Sequence, residues 1–138
     1  MPAADPADPD FFPLLARTRV VIVGLGLMGG SLALALRDRC QALYAVDPDP
    51  ATLALARETR VARRVSADPA ELLPLADLVV LAVPVGEILR LLAALPDLHP
   101  GPAMVLDLGS TKGEIARALA ALPARFDPVG GHPMCGKE

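Results

Sequence analysis

The stretch Arg19-Val20-Val21-Ile22-Val23-Gly24-Leu25-Gly26-Leu27-Met28-Gly29-Gly30 decides the fold. After Arg19 it is apolar on both faces and rich in β-branched residues, the pattern of a short strand buried in a parallel sheet. A glycine turn follows, and from Met28 to about Arg39 the residues Leu32, Ala33 and Leu36 give a helix with a broad buried face. The uncharged run Val20 to Leu36 approaches the length of a membrane span. Four glycines interrupt it, so a buried strand, a turn and a buried helix explain it better.

The glycines fit G-x-G-x-x-G in the setting that gives the pattern meaning, after a strand and before a helix. Gly24 permits the tight turn, Gly26 lets backbone approach a pyrophosphate, and Gly29 lets the helix pack close to the sheet. Unpaired N–H groups at the helix start suit phosphate oxygens. Outward from this unit, Ala42 to Asp47 reads as a second strand whose last residue can bind the adenosine ribose hydroxyls. A carboxylate there repels a 2′-phosphate, and no arginine is adjacent in sequence, so NAD is expected over NADP. The bland alternative for Asp47 is a turn or helix-cap role, since Pro48, Asp49 and Pro50 follow.

The remaining apolar runs alternate with helical patterns, the mark of βαβ units. Helices are expected from Pro50 to about Thr59, after Asp68 and Pro69 with Glu71 at capping-box spacing, from Gly86 to a stop at Pro96, and from Lys112 to Leu122. Strands are expected at Val61 to Ser66, Asp77 to Val83, Ala103 to Leu108 and Phe126 to Gly130. The fold class is therefore α/β: a Rossmann-type, doubly wound, mostly parallel sheet with helices on both faces and its βα loops along one edge. Residues 18–138 are expected to form this domain, and residues 1–17 a mobile N-terminal arm with Phe11, Phe12, Leu14 and Leu15 docking on it.

A length of 138 residues suits one core. Aromatics are only 3% of the chain, so Ala, Val, Leu and Ile must build that core. The net charge of -3 argues against a nucleic-acid surface. Cys40 and Cys135 are too few for a metal cluster or a disulfide framework, so no metal site is expected. The acidic, proline-rich start MPAADPADPDFFP is unlike a signal peptide, and a cytoplasmic protein without a membrane partner is expected.

Two later segments, DLGSTK (residues 107–112) and GGHPMCGKE (130–138), close strands on the edge that carries the glycine loop. Together with GLGLMGGSLALAL (24–36) and AVPV (82–85), in this order and spacing, they resemble the prephenate dehydrogenase family. Only Cys135 departs, where the family usually has alanine. The resemblance implies NAD-dependent oxidative decarboxylation of prephenate or arogenate in tyrosine biosynthesis. It implies His132 as the catalytic histidine and Ser110 as the serine beside the substrate's ring hydroxyl. It also implies a cofactor site of Gly24, Gly26, Leu27, Met28, Gly29, Asp47, Val83, Pro84 and Ser110. Family enzymes continue into a helical domain, so the chain is expected to be the cofactor-binding half of a longer, homodimeric protein.

Plainer roles stand beside these. His132 precedes a proline and could be a solvated turn residue, Ser110 could cap the helix at Lys112, and Lys112 and Lys137 could simply solvate a surface. His99, between Leu98 and Pro100, is expected to be solvated and structural. Two rival functions remain at this level. A β-hydroxyacid-type dehydrogenase shares the GLGxMG loop but takes its acid/base lysine from a later helix that this chain lacks. A non-catalytic NAD-binding regulatory module would need no His132.

Overall fold

In the computed structural model, which describes residues 11–109 and 113–130, six parallel strands form one sheet in the order β3-β2-β1-β4-β5-β6. In chain order the elements are α1 (Phe11–Ala16), β1 (Arg19–Val23), α2 (Leu27–Leu36), β2 (Ala42–Val46), α3 (Pro50–Thr59) and β3 (Arg64–Ser66). Then come α4 (Pro69–Leu72), a 3₁₀ turn (Leu73–Leu75), β4 (Leu78–Leu81), α5 (Val85–Leu98), β5 (Ala103–Asp107), α6 (Gly113–Ala120) and β6 (Phe126–Gly130). This is the doubly wound order, with the chain reversing its direction of travel between β1 and β4.

Alternation along the strands divides the core in two. Val21, Val23, Tyr44, Val46, Val79, Leu81 and Val105 point to the face covered by α4, α5 and α6, where Leu72, Ile88, Leu92 and Ile115 meet them. Val20, Ile22, Leu43 and Val80 point to the other face, covered by Ala33 of α2 and by Ala56 and Val61 at α3. Both faces being covered, the central strands are apolar at nearly every position, as the sequence required. At the amino-terminal edge, Arg19 ties β1 to β4: its backbone N–H and its Nε donate to one Asp77 carboxylate oxygen at 2.8 and 3.1 Å, and its Nη2 to the other at 3.1 Å. This hydrogen bonding holds the Asp77 carboxyl below the usual carboxylate range.

Several expectations are corrected. The α5 helix does not stop at Pro96 but runs through it to Leu98, with the His99 N–H closing the last turn on the Leu95 carbonyl at 2.9 Å. Proline there forfeits one helical bond near the end, and the packing of Leu95 against the sheet outweighs that loss. The first residues of the expected arm's apolar patch are helical in α1, and Leu14 does not dock: it is 65% exposed. The side chains of Phe11 and Phe12 lie outside the described set. Small shifts at the ends of α2 and α6 are those expected where helices fray.

His99 is the largest correction. It is buried at 4% exposure, not solvated. Its Nδ1 accepts from the Gly101 N–H at 2.7 Å, so Nε2 carries the proton and donates to the Ala76 carbonyl at 2.8 Å. The ring also meets Phe126 edge-on at 5.8 Å between centroids. The buried carbonyl of Ala76 needs such a partner, and the His99 ring, distant in sequence, supplies it.

Candidate cofactor-binding cleft

Where the strand order reverses between β1 and β4, the carboxyl ends of β1, β2 and β4 open into a cleft of about 580 Å³. The glycine loop forms its floor, and each glycine has its own cause. Gly24 has φ +101°, and a Cβ on it would collide with the Ala82 carbonyl and approach Val83 Cγ1 to 2.7 Å. A Cβ on Gly29 would overlap the Gly24 carbonyl and lie 3.2 Å from Ala82 Cβ, so α2 approaches the sheet too closely for any side chain. Gly26 differs. Its φ of -69° suits any residue, and a Cβ there would meet nothing within 4 Å. No atom of the described residues requires glycine at that position; what the missing side chain leaves among them is open space at the start of α2. Among the described residues no side chain caps this helix, so its first N–H groups, next to the cleft-lining Gly26, have no side-chain acceptor.

Asp47 follows β2 and lines the cleft. Its Oδ2 accepts from the Leu25 N–H at 2.8 Å and its Oδ1 from the Asp49 N–H at 2.9 Å. The turn role is thus present, but the α3 cap is Asp49, whose carboxylate takes the Ala51 N–H and the Thr52 hydroxyl. Two backbone bonds use about half the lone-pair sites of a carboxylate, leaving acceptor capacity toward the cleft. Val83 and Pro84 stand beside the glycine loop in the same cleft, while Leu27 (89% exposed) and Met28 (46%) flank the open start of α2.

Ser110 and His132 lie outside the described residues, so their side chains are not placed. The strands leading to them are. Asp107 at the end of β5 pairs in register with Gly130 at the end of β6, so these adjacent strand ends lie on the carboxyl edge of the sheet, the edge that also carries the cleft. Asp107 is fully buried, and its Oδ1 accepts from the Gly109 N–H at 2.7 Å, bending the chain just before Ser110. Sequence reasoning missed Glu87 and Arg90, which form an ion pair on α5 and line the cleft's outer wall. Their i, i+3 spacing after AVPV was the available signal. No group of three or more potential metal ligands occurs among the described residues, and no described helix is long and apolar enough to cross a membrane.

Residues 32–138 match the family model described as prephenate dehydrogenase, nucleotide-binding domain. The chain belongs to this family. A prephenate dehydrogenase from Lactococcus lactis subsp. cremoris is 30% identical over 124 residues, covering 87% of this chain and 35% of that protein. The crystal structure of prephenate dehydrogenase from A. aeolicus, in complex with hydroxyphenyl propionate and NAD+, superposes with a TM-score of 0.74 at 30% identity. It covers 90% of this chain and 44% of that one. Synechocystis arogenate dehydrogenase superposes at 0.66 with 29% identity, covering 75% of this chain and 38% of that one. The chain thus spans about a third of the curated relative and under half of each solved one. Family membership disfavours the β-hydroxyacid rival, and the nucleotide-binding description agrees with the cleft.

Proposed function

We propose that this chain binds NAD and serves an enzyme that oxidatively decarboxylates prephenate or arogenate. The observation that carries the reading is Gly26: the only cause the described structure offers for glycine there is the space it leaves for a close-approaching ligand. The cleft fits the cofactor. The N–H groups of Leu27, Met28 and Gly29 at the start of α2 would hold the pyrophosphate. Asp47 would take the adenosine ribose hydroxyls and repel a 2′-phosphate, and Val83 and Pro84 would bound the site along β4.

When bound, NAD supplies the hydride acceptor. The chain's own task at the reacting end is proton management. His132 would accept a hydrogen bond from the substrate's ring hydroxyl and hold that proton as positive character develops on the carbon losing hydride. Carbon dioxide leaves as the ring becomes aromatic. An imidazole suits this role because its unperturbed pKa lies near neutrality. Ser110 would bridge the hydroxyl and the imidazole or contact the nicotinamide ribose. The proposed setting is the cytoplasm, as a homodimer of the longer protein; exposed Leu34 and Leu55 on α2 and α3 favour a covered surface. Calorimetry with NAD and NADP tests the binding reading, and NADH absorbance with prephenate or arogenate tests the reaction. Equal or tighter NADP binding, or absence of NAD binding, would overturn it.

A further inference from the structure

At the amino-terminal edge of the sheet, opposite the cofactor cleft, the carboxyl ends of α2 and α3 lie near the starts of β2 and β3. A cavity of about 620 Å³ opens there, lined by Arg37, Arg60 and Arg63. It adjoins one of about 340 Å³ to which Arg57, Arg60, Arg63 and Arg64 contribute. Five arginines thus line one continuous depression, and among the described residues Asp38 is the one carboxylate that lines it. Asp38 stands 3.8 Å from the Arg37 Nε, while the Arg37 Nη1 donates to the Thr59 carbonyl at 3.3 Å, joining the ends of α2 and α3. With the described residues, Arg57, Arg60, Arg63 and Arg64 form no side-chain hydrogen bond or ion pair.

The fold accounts for part of this cluster. Basic residues complement the partial negative charge at a helix carboxyl end, which covers Arg37 and Arg57. A charge on the edge strand β3 discourages pairing with another chain, which covers Arg64. Arg60 and Arg63 are left without such a cause. Arg60 even works against the fold: it caps α3 at φ +54°, in the left-handed region where glycine is favoured and a side chain is strained. Crowded like charges also repel.

We propose that this depression binds a small polyanion carrying clustered phosphate groups. A terminal phosphate offers three acceptor oxygens and about two negative charges, so it engages several planar guanidinia at once, more than one carboxylate can. The cavity has the size of a small-molecule pocket, and the net charge of -3 disfavours a nucleic-acid strand as the occupant.

The test is calorimetric titration of inorganic tripolyphosphate, with citrate as the carboxylate comparison, into the unmutated chain, Arg60→Gly and the double variant Arg63→Gln with Arg64→Gln. Thermal melts of each without ligand accompany it. Arg60→Gly should weaken tripolyphosphate by about tenfold while its Tm stays level or rises, because glycine relieves the left-handed position. The double variant should lose at least as much, and citrate should bind the unmutated chain more weakly than tripolyphosphate. Anion binding at the glycine loop would be untouched by these substitutions, so affinity unchanged in both variants would overturn the proposal. Citrate binding as tightly as tripolyphosphate would overturn the phosphate class. A lowered Tm of Arg60→Gly with its affinity intact would give that guanidinium to the fold and overturn its place in the site. An unmutated chain that binds no tripolyphosphate would overturn the proposal and leave the cofactor reading standing.

Discussion

Replacing Gly26 by alanine separates a glycine required by the fold from one required by a ligand. The new methyl meets no atom of the described residues within 4 Å, and φ of -69° is ordinary for alanine. Two small effects act on stability. Alanine reduces the freedom of the unfolded chain, worth about 0.4–1 kcal/mol in favour of folding. It is also a poorer residue than glycine at the N-cap of α2, a cost of roughly the same size. The two offset, and the expected net change is within about 1 kcal/mol, a shift of a few degrees in Tm.

Binding responds differently. The methyl occupies the approach to the first N–H groups of α2, so one or two charge-assisted hydrogen bonds to phosphate are lost. At about 1.5–3 kcal/mol each, NAD affinity should fall by at least about tenfold. Gly29→Ala is the internal contrast: its methyl would overlap the Gly24 carbonyl, so Tm and affinity should fall together. Thermal melts and calorimetry on both variants provide the comparison. A Gly26→Ala chain that binds NAD as tightly as the parent would refute the assignment of that space to the cofactor.

Asp47→Ser should weaken NAD and improve NADP binding, read as the ratio of the two affinities; because Asp47 also holds the Leu25 N–H, some loss is expected for both nucleotides. In the catalytically active protein, His132→Asn should lower kcat by roughly 10²–10⁴-fold with little change in KM, followed by NADH absorbance. His99→Ala should strand the Ala76 carbonyl and the Gly101 N–H, lowering stability by about 2–4 kcal/mol by chemical denaturation while leaving NAD affinity unchanged. Asp77 has a depressed carboxyl pKa in the folded chain, so its contribution is full above the ordinary carboxylate value of about 3.9 and is lost as pH falls through the folded value. The stability gap between the parent and Asp77→Asn should therefore close on acidification, and a gap that widens would contradict the assignment.

The features legible in the sequence are those written by neighbours in the chain. Apolar runs, the glycine spacing, Pro50 and Pro69 at helix starts and Asp68 as a cap all act within one turn, and each element they announce is present. What the sequence misled on or left unread falls where a distant residue decides. His99 is buried because the carbonyl it satisfies belongs to Ala76, and Arg19 meets Asp77 only once β1 and β4 are neighbours. Pro96 shows a local rule yielding to burial of the helix around it. Arg90 and Glu87 could be paired by spacing, but only the placement of α5 turns them toward the cleft.

The proposed reacting end is supported in a third way, through topology. Ser110 and His132 lie in two separate motifs, with the whole of α6 between them. Yet β5 and β6 are parallel neighbours, in register to their last residues at Asp107 and Gly130. Two segments that emerge from adjacent parallel strand ends must start on the same edge of the sheet, whatever lies between them. That constraint supports a shared role for Ser110 and His132, on the edge where the glycine loop and Asp47 already stand.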